Sequence, residues 1–273
     1  MTFLRELARS AAWGLAVLVV VGVGAAISFW VYTDWSMSIS DGTCNIAVIP
    51  VHDQITSYTY YDEFGEQILS STLDDFEMML RAAEGDPNIQ GVIVSIDSPG
   101  GSPYSGEAMA NDLKRSPLIS AAVIRDQGLS AGYWAASGAD RIFASTVSDV
   151  GSIGVTMSYL EAVGQNEDNG LSFIELASGR YKDTGNPDKF LTDEERDLLQ
   201  ESVDKMSQEF IRQIAENRAL PLETVTALAD GSSMLGSDAL AAGLVDQIGD
   251  KEAARVWFAE ALEMEGEDVV LCE

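Results

Sequence analysis

The chain has 273 residues and carries 16 Lys+Arg against 44 Asp+Glu, a formal net charge of −28. That balance excludes a nucleic-acid surface, which needs a basic face to displace counterions from phosphates. At 46% apolar residues the composition also excludes disorder. One histidine, His52, and two cysteines, Cys44 and Cys272, rule out the common zinc sites and any mechanism that needs two imidazoles; no metal or organic cofactor is expected.

The first element is an uncharged apolar run from Ala11 to Tyr32. At ~1.5 Å per residue its 22 residues cross the ~30 Å hydrocarbon layer. Trp13 lies near one end, and Trp30, Tyr32 and Trp35 near the other, as interfacial aromatics do. A cleaved signal peptide has a shorter apolar region, ~7–15 residues. Arg5 and Arg9 precede the run and Asp34 is the first charge after it, so the positive-inside bias keeps the N-terminus cytoplasmic. The expected organisation is a cytoplasmic N-terminus (1–10), a membrane anchor (11–32) that contacts the lipid bilayer, a linker (33–44) and an extracytoplasmic domain (45–273). Nearly all the acidity falls in that domain, either as a solubilising surface or as an adaptation to high salt. In that compartment Cys44 and Cys272 either form a disulfide or remain two free thiols.

Asn45–Val51 reads as a strand, and 57–66 as an aromatic, acidic loop. Thr72, with Asp75 three residues on, caps a helix whose apolar stripe is Leu73, Phe76, Leu80 and Ala83. Gly85 and Pro87 end that helix. Val92–Ile96 is a continuously apolar, buried strand. A helix over Ser105–Arg115, a strand over Leu118–Ile124, a short helix after Ser130 and a strand over Arg141–Ser145 follow, and Ile153–Met157 is expected to extend the sheet. From Thr192, capped with Glu195, a helix of about six turns presents Leu199, Val203, Met206, Phe210 and Ile214 on one face. Smaller helices near Leu222–Ala229 and Asp238–Ala242 and a final strand over Gly243–Asp246 complete the pattern. Alternating strands and helices imply an α/β domain with a mainly parallel sheet.

Three turns have the residues for chemistry. Asp97-Ser98-Pro99-Gly100-Gly101-Ser102 follows a strand and precedes a helix; it is either an ordinary βα turn or a set of outward N–H groups for an oxyanion or phosphate. Gly128-Leu129-Ser130-Ala131-Gly132 fits the G-x-S-x-G nucleophile elbow, or a small-residue packing turn. The α/β-hydrolase order requires a histidine after the serine, and His52 lies upstream, so a nucleophilic Ser130 needs another base. The loop Ser178–Pro187 holds Lys182, one of five lysines. Beside Asp183 it is either a solvated surface pair or a general base, the latter requiring burial that lowers a lysine pKa.

Taken together, SPGG (Ser98–Gly101), LSAGYW (Leu129–Trp134), GSIGV (Gly151–Val155), GRYKD (Gly179–Asp183) and GLVDQIG (Gly243–Gly249), in that order, resemble the signal peptide peptidase SppA family in its short, membrane-anchored form. The resemblance covers about residues 45–250. It implies a ClpP/crotonase-like α/β fold with Ser130 as nucleophile and Lys182 as general base, a dyad that dispenses with histidine. It further implies an oxyanion hole from the Gly101 and Ala131 N–H groups, and Ser152 as the hydroxyl orienting the lysine. Ala131 departs from the glycine usual in the family. The implied substrates are signal-peptide remnants or other membrane-associated peptides, and the implied assembly is a homo-oligomer whose dyad is shared between subunits. Two other readings use the same residues: a non-catalytic membrane scaffold, and a crotonase-like acyl-CoA enzyme that would hold a thioester enolate on the SPGG backbone.

Overall fold

A computed structural model of the chain describes residues 39–62 and 64–273. The predicted anchor, residues 11–32, lies outside the described residues, and among those described no helix is long and apolar enough to cross a membrane.

The centre is a mostly parallel sheet. β1 (Ile46–Thr56), β3 (Gly91–Gly101), β4 (Ile119–Leu129) and β5 (Arg141–Ala144) lie side by side in that order. β2 (Ser70–Thr72) and β8 (Gln247–Ile248) extend the two flanks, and β9 (Leu271–Cys272) pairs with the start of β1. Off the end of β4, β6 (Asp149–Gly151) pairs parallel with β4 and antiparallel with β7 (Ser233–Leu235). The strands are apolar on both faces because both faces are covered. Successive side chains go to opposite sides: Val92, Val94 and Ile96 of β3, and Ala122 and Ile124 of β4, join the larger core cluster. Ile93, Ala121 and Val123 join the smaller one.

The larger cluster packs beneath α1 (Leu73–Gly85), α2 (Pro103–Arg115), α3 (Ala131–Ser137) and the C-terminal half of α5 (Asp193–Asn217). The smaller packs beneath α8 (Lys251–Ala261) through Ala254 and Phe258. Between α3 and α5, Val163–Asp168 forms the short α4; α6 (Leu222–Leu228) and α7 (Gly236–Ala241) follow α5. The caps are those expected: Thr72 Oγ1 accepts from Asp75 N–H, and Thr192 with Glu195 closes a full capping box on α5. On α5 only Phe210 and Ile214 of the predicted stripe are buried; Leu199, Val203 and Met206 are half-exposed.

Three expectations are corrected. β1, β3 and β4 run about five residues past their predicted ends, because each bulges and then resumes pairing: register shifts fall between His52 and Gln54 and between Ile96 and Ser98. Asp53, at φ 59°, is the bulge in β1, and Ser98 Oγ donates to its carbonyl (2.6 Å). Pro50 therefore sits inside β1, on a stretch paired with β3 alone, where a missing N–H is tolerated. Ile153–Met157 is not a strand, since it lies beyond the end of β6 with no strand beside it. The final strand is Gln247–Ile248: Leu244 and Val245 are buried plugs, and Asp246 turns inward. There its Oδ2 accepts from Ile142 N–H (2.7 Å) and its Oδ1 meets the buried Arg218 guanidinium (2.6 Å).

Cys44 and Cys272 form a disulfide that closes 228 residues of sequence. It lies at the starting end of the parallel strands, where the chain enters the domain at Ile39. The other end of the sheet carries Gly101 and Ser130.

Candidate active site

Ser130 stands where β4 gives way to α3. Its N–H donates to Gly151 O on β6 (2.8 Å), and its carbonyl accepts the first bond of α3 from Trp134 N–H (2.9 Å). Held from both sides, it adopts φ 50°, ψ −121°, a conformation that costs a non-glycine residue ~1–3 kcal/mol and persists only where the surroundings enforce it. The strained strand-to-helix turn is the geometry of a nucleophile elbow. Its Oγ has no hydrogen-bond partner among the described residues.

The last residues of β3 come close to that serine because two consecutive glycines permit it. Gly100 has φ 105°, and a Cβ on it would lie 2.7 Å from Ser130 Cβ and 3.1 Å from Ala131 N. Gly101 has φ 150°, and its Cβ would lie 2.1 Å from Ile55 O. Only bare backbone fits between β1 and the elbow. Ala131 N–H, at the first position of α3, is one of the donors a helix leaves without an internal acceptor.

Ser130, Ala131, Gly101 and Ser152 line one cleft of about 570 Å³. Its floor is the Trp134 indole stacked on Phe210 (4.2 Å between centroids), with Trp134 Nε1 donating to Gln213 Oε1. Ser152 also has a positive φ, 51°; its N–H donates to Ser232 O and its Oγ to Gly231 O (3.1 Å). The opposite wall was not anticipated. It is the half-exposed part of α5, with Val203, Asp204 and Ser207, and the turn at Asp230. Part of the signal was in the sequence, since Val203 and Phe210 belong to the predicted stripe.

Lys182 is elsewhere. It is exposed, does not line the cleft, and makes no side-chain hydrogen bond or ion pair among the described residues. Its backbone N–H donates to Gly179 O (3.0 Å) in a turn. The long segment leading to it, between β6 and α5, leaves large apolar side chains in water, among them Leu160, Ile174 and Leu176. The structure thus brings four of the five predicted site residues together and leaves the predicted base, Lys182, outside their cleft.

Residues 114–265 match the model of Peptidase family S49. A Methanocaldococcus jannaschii protein named as a protease is 33% identical over 178 residues, 64% of this chain and 57% of that one. An Enterococcus faecium protein named as a signal peptide peptidase, SppA, is 32% identical over 66% of this chain and 53% of its own length. The chain thus spans a little over half the length of these relatives. Among solved structures, a ClpP1 variant from Listeria monocytogenes aligns with TM-score 0.50 at 14% identity, covering 74% of this chain and 91% of that one. A membrane-bound stomatin-specific protease aligns with TM-score 0.54 at 16% identity, covering 78% and 84%. At those identities the likeness is one of fold: a ClpP-like α/β architecture.

Proposed function

The chain belongs to Peptidase family S49, and from that premise we propose that it is a membrane-anchored serine endopeptidase with Ser130 as nucleophile and Lys182 as base. The observation that carries the reading is the strained Ser130 at the mouth of α3, with the Gly100–Gly101 backbone packed against it and a peptide-sized cleft in front. Neutral Lys182 takes the proton from Ser130 Oγ as the oxygen attacks a peptide carbonyl. The N–H groups of Gly101 and Ala131 hold the oxyanion, which collapses to an acyl-enzyme as the C–N bond breaks and the lysine returns its proton to the leaving amine. Water, deprotonated by the same lysine, then releases the acyl group.

Lys182 arrives from a second copy of the chain. Its exposure outside its own cleft, on an arm whose apolar side chains lack cover, supports this. Ser152, on the wall of the receiving cleft, orients the incoming amine in this reading. Signal-peptide remnants and other membrane-associated peptides are the substrates; the apolar run 11–32 and the relative named SppA support that class. The decisive experiment uses detergent-solubilised full chain. Ser130→Ala and Lys182→Ala proteins should each be inactive on a signal peptide, and co-expressed together they should regain activity through mixed sites. A fluorophosphonate should label Ser130. Activity in the Lys182→Ala protein would overturn the base assignment, and absence of labelling would favour a scaffold.

A further inference from the structure

Glu195 is 3% exposed, and only half of its carboxylate is occupied by helix capping. Oε2 accepts from Thr192 N–H (3.0 Å) and Oγ1 (3.1 Å), completing the capping box of α5. Oε1 faces the other way, toward the loop that carries Lys182. It accepts from Lys189 Nζ (2.8 Å) and from Thr184 Oγ1 (3.3 Å), two residues beyond Lys182. Lys189 Nζ also donates to Glu175 Oε2 (3.3 Å). One carboxylate on a fixed helix end therefore gathers Glu175 on the near side of the loop and Lys189 on the far side, with Lys182 midway between them. The Lys189 hydrogen bond holds the Glu195 carboxyl down at about 2, so the clasp is ionised wherever a peptidase would work. The other charges flanking Lys182 have local partners: Arg180 pairs with Glu194, and Asp183 accepts from Asn186 Nδ2.

We propose that Glu195 is a positioning residue for catalysis: through Lys189 and Thr184 it fixes the loop that presents Lys182 to Ser130. This rests on Lys182 being the base. A loose loop would still carry the lysine but would present it over a range of positions, and a displacement of about 1 Å in a reacting group costs up to ~10²-fold in rate.

The test is kinetic, on the full chain in detergent. Glu195→Ala should lower kcat by ~10- to 100-fold with little change in KM, and should displace the acid limb of the kcat/KM profile, which reports the base. Glu195→Gln, which keeps an acceptor oxygen, should recover part of kcat. Thr184→Val leaves the cap and the Lys189 pair in place and should give a smaller loss of the same kind, so the proposal stays testable if Glu195→Ala folds poorly. Wild-type kcat and pH limb in the folded Glu195 and Thr184 variants, beside an inactive Lys182→Ala protein, would overturn the positioning role alone. Activity in Lys182→Ala would remove the base assignment and this inference together.

Discussion

Gly100→Ala puts the elbow under a defined strain. The added Cβ would sit 2.7 Å from Ser130 Cβ, 2.9 Å from Leu129 O and 3.1 Å from Ala131 N. Carbon atoms pack at ~3.5–4.0 Å, so Ser130 must retreat by about 1 Å or β3 must shift. Two costs follow. An alanine at φ 105° loses ~1–3 kcal/mol of stability, a drop of roughly 4–8 °C in Tm at the middle of that range for a domain of this size. A serine displaced by about 1 Å loses ~10²-fold in reactivity. The expected outcome is a folded protein whose rate of fluorophosphonate labelling falls about a hundredfold while Tm falls only modestly. Gly101→Ala supplies the contrast: its Cβ meets the Ile55 backbone at 2.1 Å, which cannot rotate away, so stability should suffer more. Labelling and Tm at wild-type values in Gly100→Ala would refute the close approach of β3 to the nucleophile.

Removing Asp246 by Asp246→Ala leaves the buried Arg218 guanidinium with Gly243 O alone and Ile142 N–H without its acceptor; a loss of ~1–3 kcal/mol is expected in urea unfolding. Reduction of the Cys44–Cys272 disulfide should cost about 5 kcal/mol of loop-closure entropy in the chain-entropy model, read as a fall in Tm on adding dithiothreitol. Glu195 gives a signed pH dependence. Its folded-state pKa of about 2 lies below the ordinary carboxylate value, so its contribution is present above the ordinary value and is lost as pH falls through about 2. Tm measured between pH 5 and pH 2 should therefore fall less steeply in Glu195→Gln than in the wild type.

Much of the fold was legible where the code is local. Cap residues, apolar stripes and doubly buried strands are set by neighbours within a few positions, and α1, α5 and the centres of β1, β3 and β4 follow from them. The strand ends were not legible, because Ser98–Gly101 and Arg125–Leu129 have no β-prone composition; their pairing is imposed by bulges in register across three strands. β2, β6, β7 and β9 are two or three residues long and exist only through distant partners. α8 was missed although the signal was there: Asp250 caps it, and Ala254, Trp257, Phe258 and Ala261 have helical spacing. At the site, the Ser130 elbow and its glycines could be read from motif and spacing. The placement of Lys182 relative to Ser130 could not, since among the described residues no contact joins the two.

The sheet has a direction, and that direction sets a distance. The chain enters the domain at Ile39 and is stapled there by the disulfide, whereas Ser130 faces out from the far end of the same strands. From Ile46 to Ile55, beside Gly101, β1 rises ~3.3 Å per residue, a stand-off of about 30 Å. If the proposed anchor, the apolar run 11–32, holds the chain to a bilayer, this stand-off makes the domain a measuring rod. On that proposed reading, cleavage would select peptides by how much chain they can pay out from the bilayer, about nine extended residues for a domain standing upright, before it selected them by any side chain.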